Sequence, residues 1–168
     1  MVAPPPTRSG RSVVATDEVV DAVLGASRAL VAVAARSLAN VGEDVTLAQY
    51  RALVVVASRG PQRLADLAAA LAVDRSTATR MCDRLVRKRL AVRRRATDDR
   101  RVVRISLTDA GGELVTEVSR RRRAEIRRIV RRMPPDTRVA VVDALQAFAA
   151  AAGEVPEQDW SLGWGHRA

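Results

Sequence analysis

Apolar residues recur at helical spacing in the first part of the chain, from Thr16 to Val41. They follow alternating steps of four and three residues, the pattern of one face of an α-helix. The stripe consists of Val20, Leu24, Ser27, Val31, Ala34, Leu38 and Val41, and it is widened by Val19, Val23, Leu30 and Val33. A face this broad predicts a long helix with packing partners on two sides.

Three shorter helices are predicted next. The second helix covers residues 46–58 and begins at a capping box formed by Thr46 and Gln49. The pattern then predicts a third helix over residues 64–71 and a fourth over residues 74–89, with an aspartate as the N-cap of the fourth.

The second half of the chain reads as a hairpin followed by two helices. Strands are predicted over residues 91–95 and 101–107, the latter with the period of two typical of a half-buried strand. Helices are predicted over residues 108–133 and 135–153. The chain is therefore expected to be mainly α with a small β-wing: a winged helix-turn-helix lobe plus a helical region from the N- and C-terminal helices.

The fourth helix carries the candidate chemistry. At 100° per residue, Ala78, Cys82 and Leu85 fall on one side. The opposite side consists of Ser76, Arg80, Asp83 and Arg87, flanked by Thr77, Thr79 and Arg84. Hydroxyls and guanidiniums on one face suit base edges and phosphates in a major groove. An ordinary amphipathic surface helix would also be polar there, so this face alone does not decide between the two.

The distribution of charge favours nucleic acid. The whole chain has a formal net charge of +10, and residues 74–104 hold eleven arginines and Lys88 against four aspartates. A basic helix followed by a basic hairpin can bind a duplex at two points, with an arginine of the hairpin in the minor groove. Asp99 in the hairpin turn can pair with Arg101 and fix the shape of the loop; the alternative is a surface salt bridge worth about 0–1 kcal/mol.

Composition argues against other functional classes. The chain is 48% hydrophobic but 2% aromatic, so its core must be built from small aliphatic residues, which favours helices. With one cysteine, Cys82, and one histidine, His166, it has little from which to build a disulfide, a zinc site or a catalytic triad. We expect no enzyme activity and no cofactor. With no apolar run of about 20 residues and no signal peptide, we expect a cytoplasmic protein without membrane binding.

The combined motifs resemble the MarR (multiple antibiotic resistance regulator) family of bacterial transcription factors. The matching features are "TLAQ", "LAVDRSTATR" with "DRL", the "D-x-R" of the wing and the closing "LTDAG", within residues 46–112. The resemblance implies a homodimer with interlocking first, fifth and sixth helices, and binding to a palindromic operator in double-stranded DNA. It also implies a repressor more often than an activator, and release of DNA in many members by a small aromatic or anionic effector.

The resemblance and the charge pattern together give a set of expected DNA-contacting residues: Arg75, Ser76, Thr77, Thr79, Arg80, Arg84, Arg87, Arg94, Arg95, Arg100 and Arg101. The expected organisation is a disordered tail at 1–15, a dimerisation region at 16–45 and 108–153, a winged helix-turn-helix domain at 46–107 and a tail at 154–168. The pocket residues for an effector are not predicted, and no role is predicted for Trp160 and Trp164.

Two residues depart from the family pattern. By the family pattern, residues 75–89 form the recognition helix. Ala72, in the turn before this helix, and Arg89, at its end, stand where the family usually has glycine. Either the backbone differs at these positions or it bears the strain of a positive φ. Two alternatives remain open: redox sensing by Cys82, against a simple role in packing, and an architectural nucleoid or RNA-binding protein that binds without sequence choice.

Overall fold

The structure is a computed structural model that describes residues 15–39, 41, 44–95 and 102–160. Its helices are α1 (Thr16–Ala39), α2 (Leu47–Arg59), α3 (Leu64–Ala70), α4 (Arg75–Arg87), α5 (Asp109–Arg131) and α6 (Arg138–Ala151). Its strands are β1 (Gln62–Arg63), β2 (Ala91–Arg95) and β3 (Val103–Leu107). The predicted fold class, mainly α with a small β-wing, is confirmed.

Side-chain caps begin three of the helices, α2, α4 and α5. Thr46 and Gln49 form the predicted capping box of α2, with Gln49 N donating to Thr46 Oγ1 (3.2 Å) and Thr46 N donating to Gln49 Oε1 (3.1 Å). Asp74 caps α4, and Thr108 caps α5 by accepting from the backbone N–H of Gly111 (3.0 Å). Each cap satisfies an amide that has no partner within its helix.

The sheet has three antiparallel strands in the order β1-β3-β2. Strands β2 and β3 form the predicted wing hairpin, in which Arg93 lies opposite Ile105. The short β1 was not predicted; it pairs with the other edge of β3, placing Gln62 opposite Ile105. A segment of two residues is too short to show a periodicity, so only its pairing with β3 reveals that it is a strand.

The core lies between α2, α3, α4, the sheet and the first half of α5. Its largest fully buried side chains include Leu53, Leu67, Leu85, Val115 and Val118. Aliphatic residues dominate it, as the low aromatic content predicts. This core fixes α4 and the wing relative to each other.

The C-terminal part differs from the sequence expectation. Pro135 begins a 3-10 helix, Pro135–Thr137, and not the α-helix itself. The expected tail begins at residue 154, but the described residues beyond α6 form a further 3-10 helix, Glu157–Asp159, and Trp160 packs against the core. Among the described residues, no helix is long and apolar enough to cross a membrane.

The chain divides into two compact units at residue 32. The first unit consists of the initial part of α1, where Val20, Leu24 and Val31 are about half exposed. In the second unit the last turns of α1 bury Val33 and Leu38. The predicted long first helix is thus present, and much of its apolar stripe in the first unit is uncovered.

Candidate nucleic-acid interface

Asp74 organises the N-terminus of α4. Its carboxylate accepts hydrogen bonds from the backbone N–H of Thr77 (2.8 Å), from Ser76 Oγ (2.6 Å) and from Thr77 Oγ1 (2.8 Å). These bonds hold the pKa of Asp74 well below its usual range, and the bond from Ser76 Oγ has the largest effect. Both hydroxyl side chains are therefore held in place before any partner binds.

Two further polar side chains on α4 are bonded within the helix. Thr79 Oγ1 donates to the carbonyl oxygen of Arg75 (2.7 Å), and Arg80 Nη2 donates to Thr77 Oγ1 (3.2 Å). The hydroxyl hydrogens of Ser76, Thr77 and Thr79 are thus all committed to acceptors in the protein. A hydroxyl that already donates can still accept, so this face suits the amino groups of adenine and cytosine.

The guanidiniums of α4 lie at the surface. Arg75, Arg80, Arg84 and Arg87 are all exposed. Among the residues that the structure describes, no carboxylate forms a salt bridge with any of them. Four exposed cationic side chains on one helix form a strongly positive face, as phosphate binding requires.

An ion pair joins the wing to α4. Arg93 on β2 lies with its Nη2 2.7 Å from the carboxylate of Asp83 on α4. Sequence reasoning placed Asp83 on the outer face of the helix but did not predict this pair, since many arginines were equally plausible partners. The pair links the two elements that would contact a duplex.

The wing also carries two of the predicted arginines. Arg94 and Arg95 are exposed on β2, in register with Arg104 and Val103 of β3. The predicted pair of Asp99 with Arg101, and the predicted contact residue Arg100, lie outside the described residues.

Both family departures adopt the backbone conformation that favours glycine. Ala72 has φ 52° and Arg89 has φ 58°. After each, the chain closes a Schellman motif: Val73 N donates to Ala68 O (3.1 Å) and Leu90 N donates to Leu85 O (3.0 Å). The backbone therefore bears the strain of a positive φ at both positions, at a cost of about 1–2 kcal/mol per residue.

Cys82 is fully buried on the inner side of α4. Burial raises the pKa of its thiol, while the nearby Arg93 lowers it and Asp83 raises it. A raised pKa disfavours the thiolate, the reactive form. Cys82 fits the packing role better than redox sensing.

The fold and this face define the class of protein: a DNA-binding transcriptional regulator with a winged helix-turn-helix lobe. Residues 45–103 match the model of the MarR family. The chain is 31% identical over 123 residues to the HTH-type transcriptional repressor MdtR of Bacillus subtilis (strain 168), a match covering 73% of this chain and 79% of MdtR. The chain belongs to the MarR family, whose regulators bind DNA and act as dimers.

Two further proteins are similar to this chain. The crystal structure of RV1404 from Mycobacterium tuberculosis superimposes with a TM-score of 0.78 at 43% identity, covering 89% of this chain and 99% of that one. The uncharacterized HTH-type transcriptional regulator YhbI of B. subtilis (strain 168) is 36% identical over 76 residues, 45% of this chain. The chain spans about half the length of YhbI, 49%.

Proposed function

We propose that this protein is a repressor that binds a palindromic operator in double-stranded DNA as a homodimer. A small aromatic or anionic effector then releases it from the DNA. The observation that carries the proposal is the preorganised face of α4, where Asp74 holds Ser76 and Thr77 beside exposed guanidiniums. The repressor function named for MdtR supports the direction of regulation.

The proposed DNA contacts fall into two groups. Near the base edges we place Ser76, Thr77, Thr79, Arg80 and Arg84, because they lie on the exposed or half-exposed side of α4. Phosphate and minor-groove contacts are assigned to Arg75, Arg87, Arg94, Arg95, Arg100 and Arg101. The pairing of Asp99 with Arg101 stays a proposal for shaping the wing.

Helix α6 supports the homodimer. None of its residues is buried, although it is built mostly of Ala and Val, and Val139 and Phe148 are 71% and 53% exposed. An apolar helix gains stability in water by covering such a face. A second copy of the chain would supply that cover, with residues 16–45 and 108–153 as the dimerisation region.

A cavity beside α5 supports an effector site. It has a volume of about 320 Å³ and is lined by Ser119, Arg122, Arg123, Ile126, Glu157 and Trp160. Within the described part of the chain, the buried Arg122 Nε has no hydrogen-bond partner. A guanidinium and an indole ring suit a small aromatic carboxylate, and the volume falls in the range of ligand pockets.

The first test is selection of bound sequences from random duplex DNA at low and near-physiological salt. We expect a palindrome with half-site centres about 10 bp apart, as a dimer with two recognition helices requires. Binding without an enriched motif would instead favour the architectural or RNA-binding function.

Single substitutions then test the roles on the selected operator. Arg80→Ala and Arg101→Ala should each weaken binding by about 1–3 kcal/mol, while Arg127→Ala on α5 serves as a charge-matched control. Unchanged affinity in both variants would overturn these role assignments.

Benzoate, as the simplest aromatic carboxylate, tests the effector site. It should lower operator affinity of the parent at millimolar concentration and have less effect on Arg122→Gln and Trp160→Leu. Equal responses in the three proteins would place the effector elsewhere.

A further inference from the structure

A second cavity lies between the start of α2 and the end of α4. It has a volume of about 420 Å³ and is lined by Asp44, Thr46, Gln49, Arg84, Arg87 and Lys88. We call it the α2–α4 cavity. It shares Arg84 and Arg87 with the outer face of α4, so an anion bound in it would lie beside the surface that we assign to DNA.

Gln49 brings to the cavity a side-chain amide donor that no described residue uses. Its side chain belongs to the capping box, with Oε1 accepting from Thr46 N (3.1 Å), and the residue is only 5% exposed. In the described part of the chain its amide nitrogen, Nε2, makes no hydrogen bond, although the residue lines the cavity. Among the described residues Nε2 is not one of the buried side-chain atoms that lack a partner, so it remains open to solvent and can donate to an acceptor that enters the cavity.

The remaining groups around the cavity make it electropositive. Arg84 and Arg87 form no salt bridge with a described residue, and Lys88 Nζ donates to the carbonyl oxygen of Asp44. The N-terminus of α2 adds the positive end of its dipole. Among the described residues that line the cavity, Asp44 carries the one opposing charge; its carboxylate lies 3.7 Å from Lys88 Nζ and is fully exposed to solvent.

We propose that the α2–α4 cavity binds a phosphate group, and that in the operator complex this is a phosphate of the DNA backbone. The inference rests on the proposed DNA binding. Arg87, Lys88, an amide donor and a helix N-terminus converge on one space beside Arg84, and a phosphate offers several acceptor oxygens at once. Gln49 on α2 and Lys88 at the C-cap of α4 would thereby become DNA contacts in addition to the residues assigned above, and they would fix how deeply α4 enters the groove.

The decisive variant is Gln49→Glu. Glutamate keeps the oxygen that caps α2 and is favourable at a helix N-terminus, so the fold should be retained. A second carboxylate in the cavity should repel phosphate and lower operator affinity at least about tenfold. Lys88→Met should lower the slope of log affinity against log salt by about 1. The control is Gln158→Glu, which adds the same charge at an exposed site in the C-terminal segment.

Titration of the free parent with inorganic phosphate, followed through the side-chain amide NMR signals of Gln49, tests the site without DNA. Shifts in these signals together with the affinity loss would support the proposal. Phosphate shifts with unchanged operator affinity in Gln49→Glu would overturn the DNA assignment and leave a site for a free phosphate compound. No shift, and affinity equal to Gln158→Glu, would overturn the site altogether.

The two proposals can fail independently. If Arg80→Ala loses operator affinity while Gln49→Glu and Lys88→Met do not, the regulator function stands and the α2–α4 cavity is not a DNA contact. If the parent selects no sequence, the proposed function fails, and the phosphate titration still decides whether the cavity binds an anion.

Discussion

Gly111, in the first turn of α5, lies against the backbone of Leu90, which follows α4. A Cβ at this position would overlap the carbonyl oxygen of Leu90. The same junction is held by Thr108, whose N–H donates to Leu90 O (3.2 Å) and whose Oγ1 donates to Arg89 O (2.6 Å). The glycine of the "LTDAG" motif is therefore required for close approach of two backbone segments, not for a special φ.

Gly111→Ala should destabilise the protein by about 1–3 kcal/mol, because backbone at the contact must shift to admit the methyl group. Gly112→Ala is the matched control: a Cβ there meets nothing within 4 Å, so alanine should stabilise α5 by about 0.5–1 kcal/mol. Urea unfolding followed by circular dichroism measures both. Similar changes in the two variants would contradict the close contact at Gly111.

The contribution of Asp74 to the stability of α4 varies with pH in the acid range. Because its pKa is lowered in the folded state, its contribution is complete above the pKa of an unfolded aspartate, about 3.9. The contribution is lost as the pH falls through the lowered folded pKa. Asp74→Asn should therefore flatten the decline in stability below about pH 4. Thermal melts of the parent and of Asp74→Asn, from pH 6 downwards, measure this decline. The same fall in melting temperature with pH in both proteins would contradict the prediction.

At the scale of elements, the pair of Asp83 and Arg93 connects recognition helix and wing. Both side chains are about half exposed, so the pair adds only about 0–1 kcal/mol to stability. Its importance is geometric, since it fixes the orientation of β2, and with it Arg94 and Arg95, relative to α4.

Arg93→Gln should reduce the free energy of operator binding by more than it reduces the free energy of unfolding. The exchange variant Asp83→Arg with Arg93→Asp keeps the net charge and should recover part of the affinity lost by either single exchange. Fluorescence anisotropy on a labelled operator, alongside urea unfolding, separates the two effects. Additive losses in the double variant would show that the two residues act independently.

The C-terminal segment is a second link between elements. Arg51 on α2 pairs with Glu154, Arg59 donates to the carbonyl oxygen of Gly153 (3.1 Å), and Arg123 on α5 pairs with Glu157 (2.5 Å). The segment after α6 is thereby tied to both α2 and α5. This explains why Trp160 can help line the cavity beside α5.

At the scale of the whole molecule, most of the exposed apolar surface and the exposed arginines of the candidate interface lie on different elements. Among the described residues, most exposed large apolar side chains lie on α1 and α6, with others on α2, β3 and α5, whereas α4 and β2 carry the exposed arginines of the candidate interface. This separation is what a regulator needs if one part of it assembles the dimer and another contacts DNA.

Leu145→Glu should shift the protein from dimer to monomer and lower operator affinity, because it places a charge on the exposed apolar face of α6. Gln146→Glu adds the same charge at the next position, which is already polar, and should leave the dimer intact. Analytical ultracentrifugation across a concentration series measures the assembly state. A parent that remains monomeric at all concentrations would refute the dimer.

The sequence by itself determined the features that depend on neighbours along the chain. The capping box of Thr46 and Gln49 and the N-caps at Asp74 and Thr108 join residues three positions apart, and the period of β3 is a local pattern. Such interactions are complete within one turn or one strand, so residue types and spacing suffice to predict them. The positive charge of the DNA-binding lobe also follows from composition alone.

Only the tertiary structure decided which distant residues meet. The pairing of β1 with β3, the contact of Gly111 with Leu90 and the ion pair of Asp83 with Arg93 all join separate elements. The strain at Ala72 and Arg89 likewise appears only once φ is known. The physical reason is that each of these depends on how helices and strands pack around a common core, and packing fixes distances that no local spacing encodes.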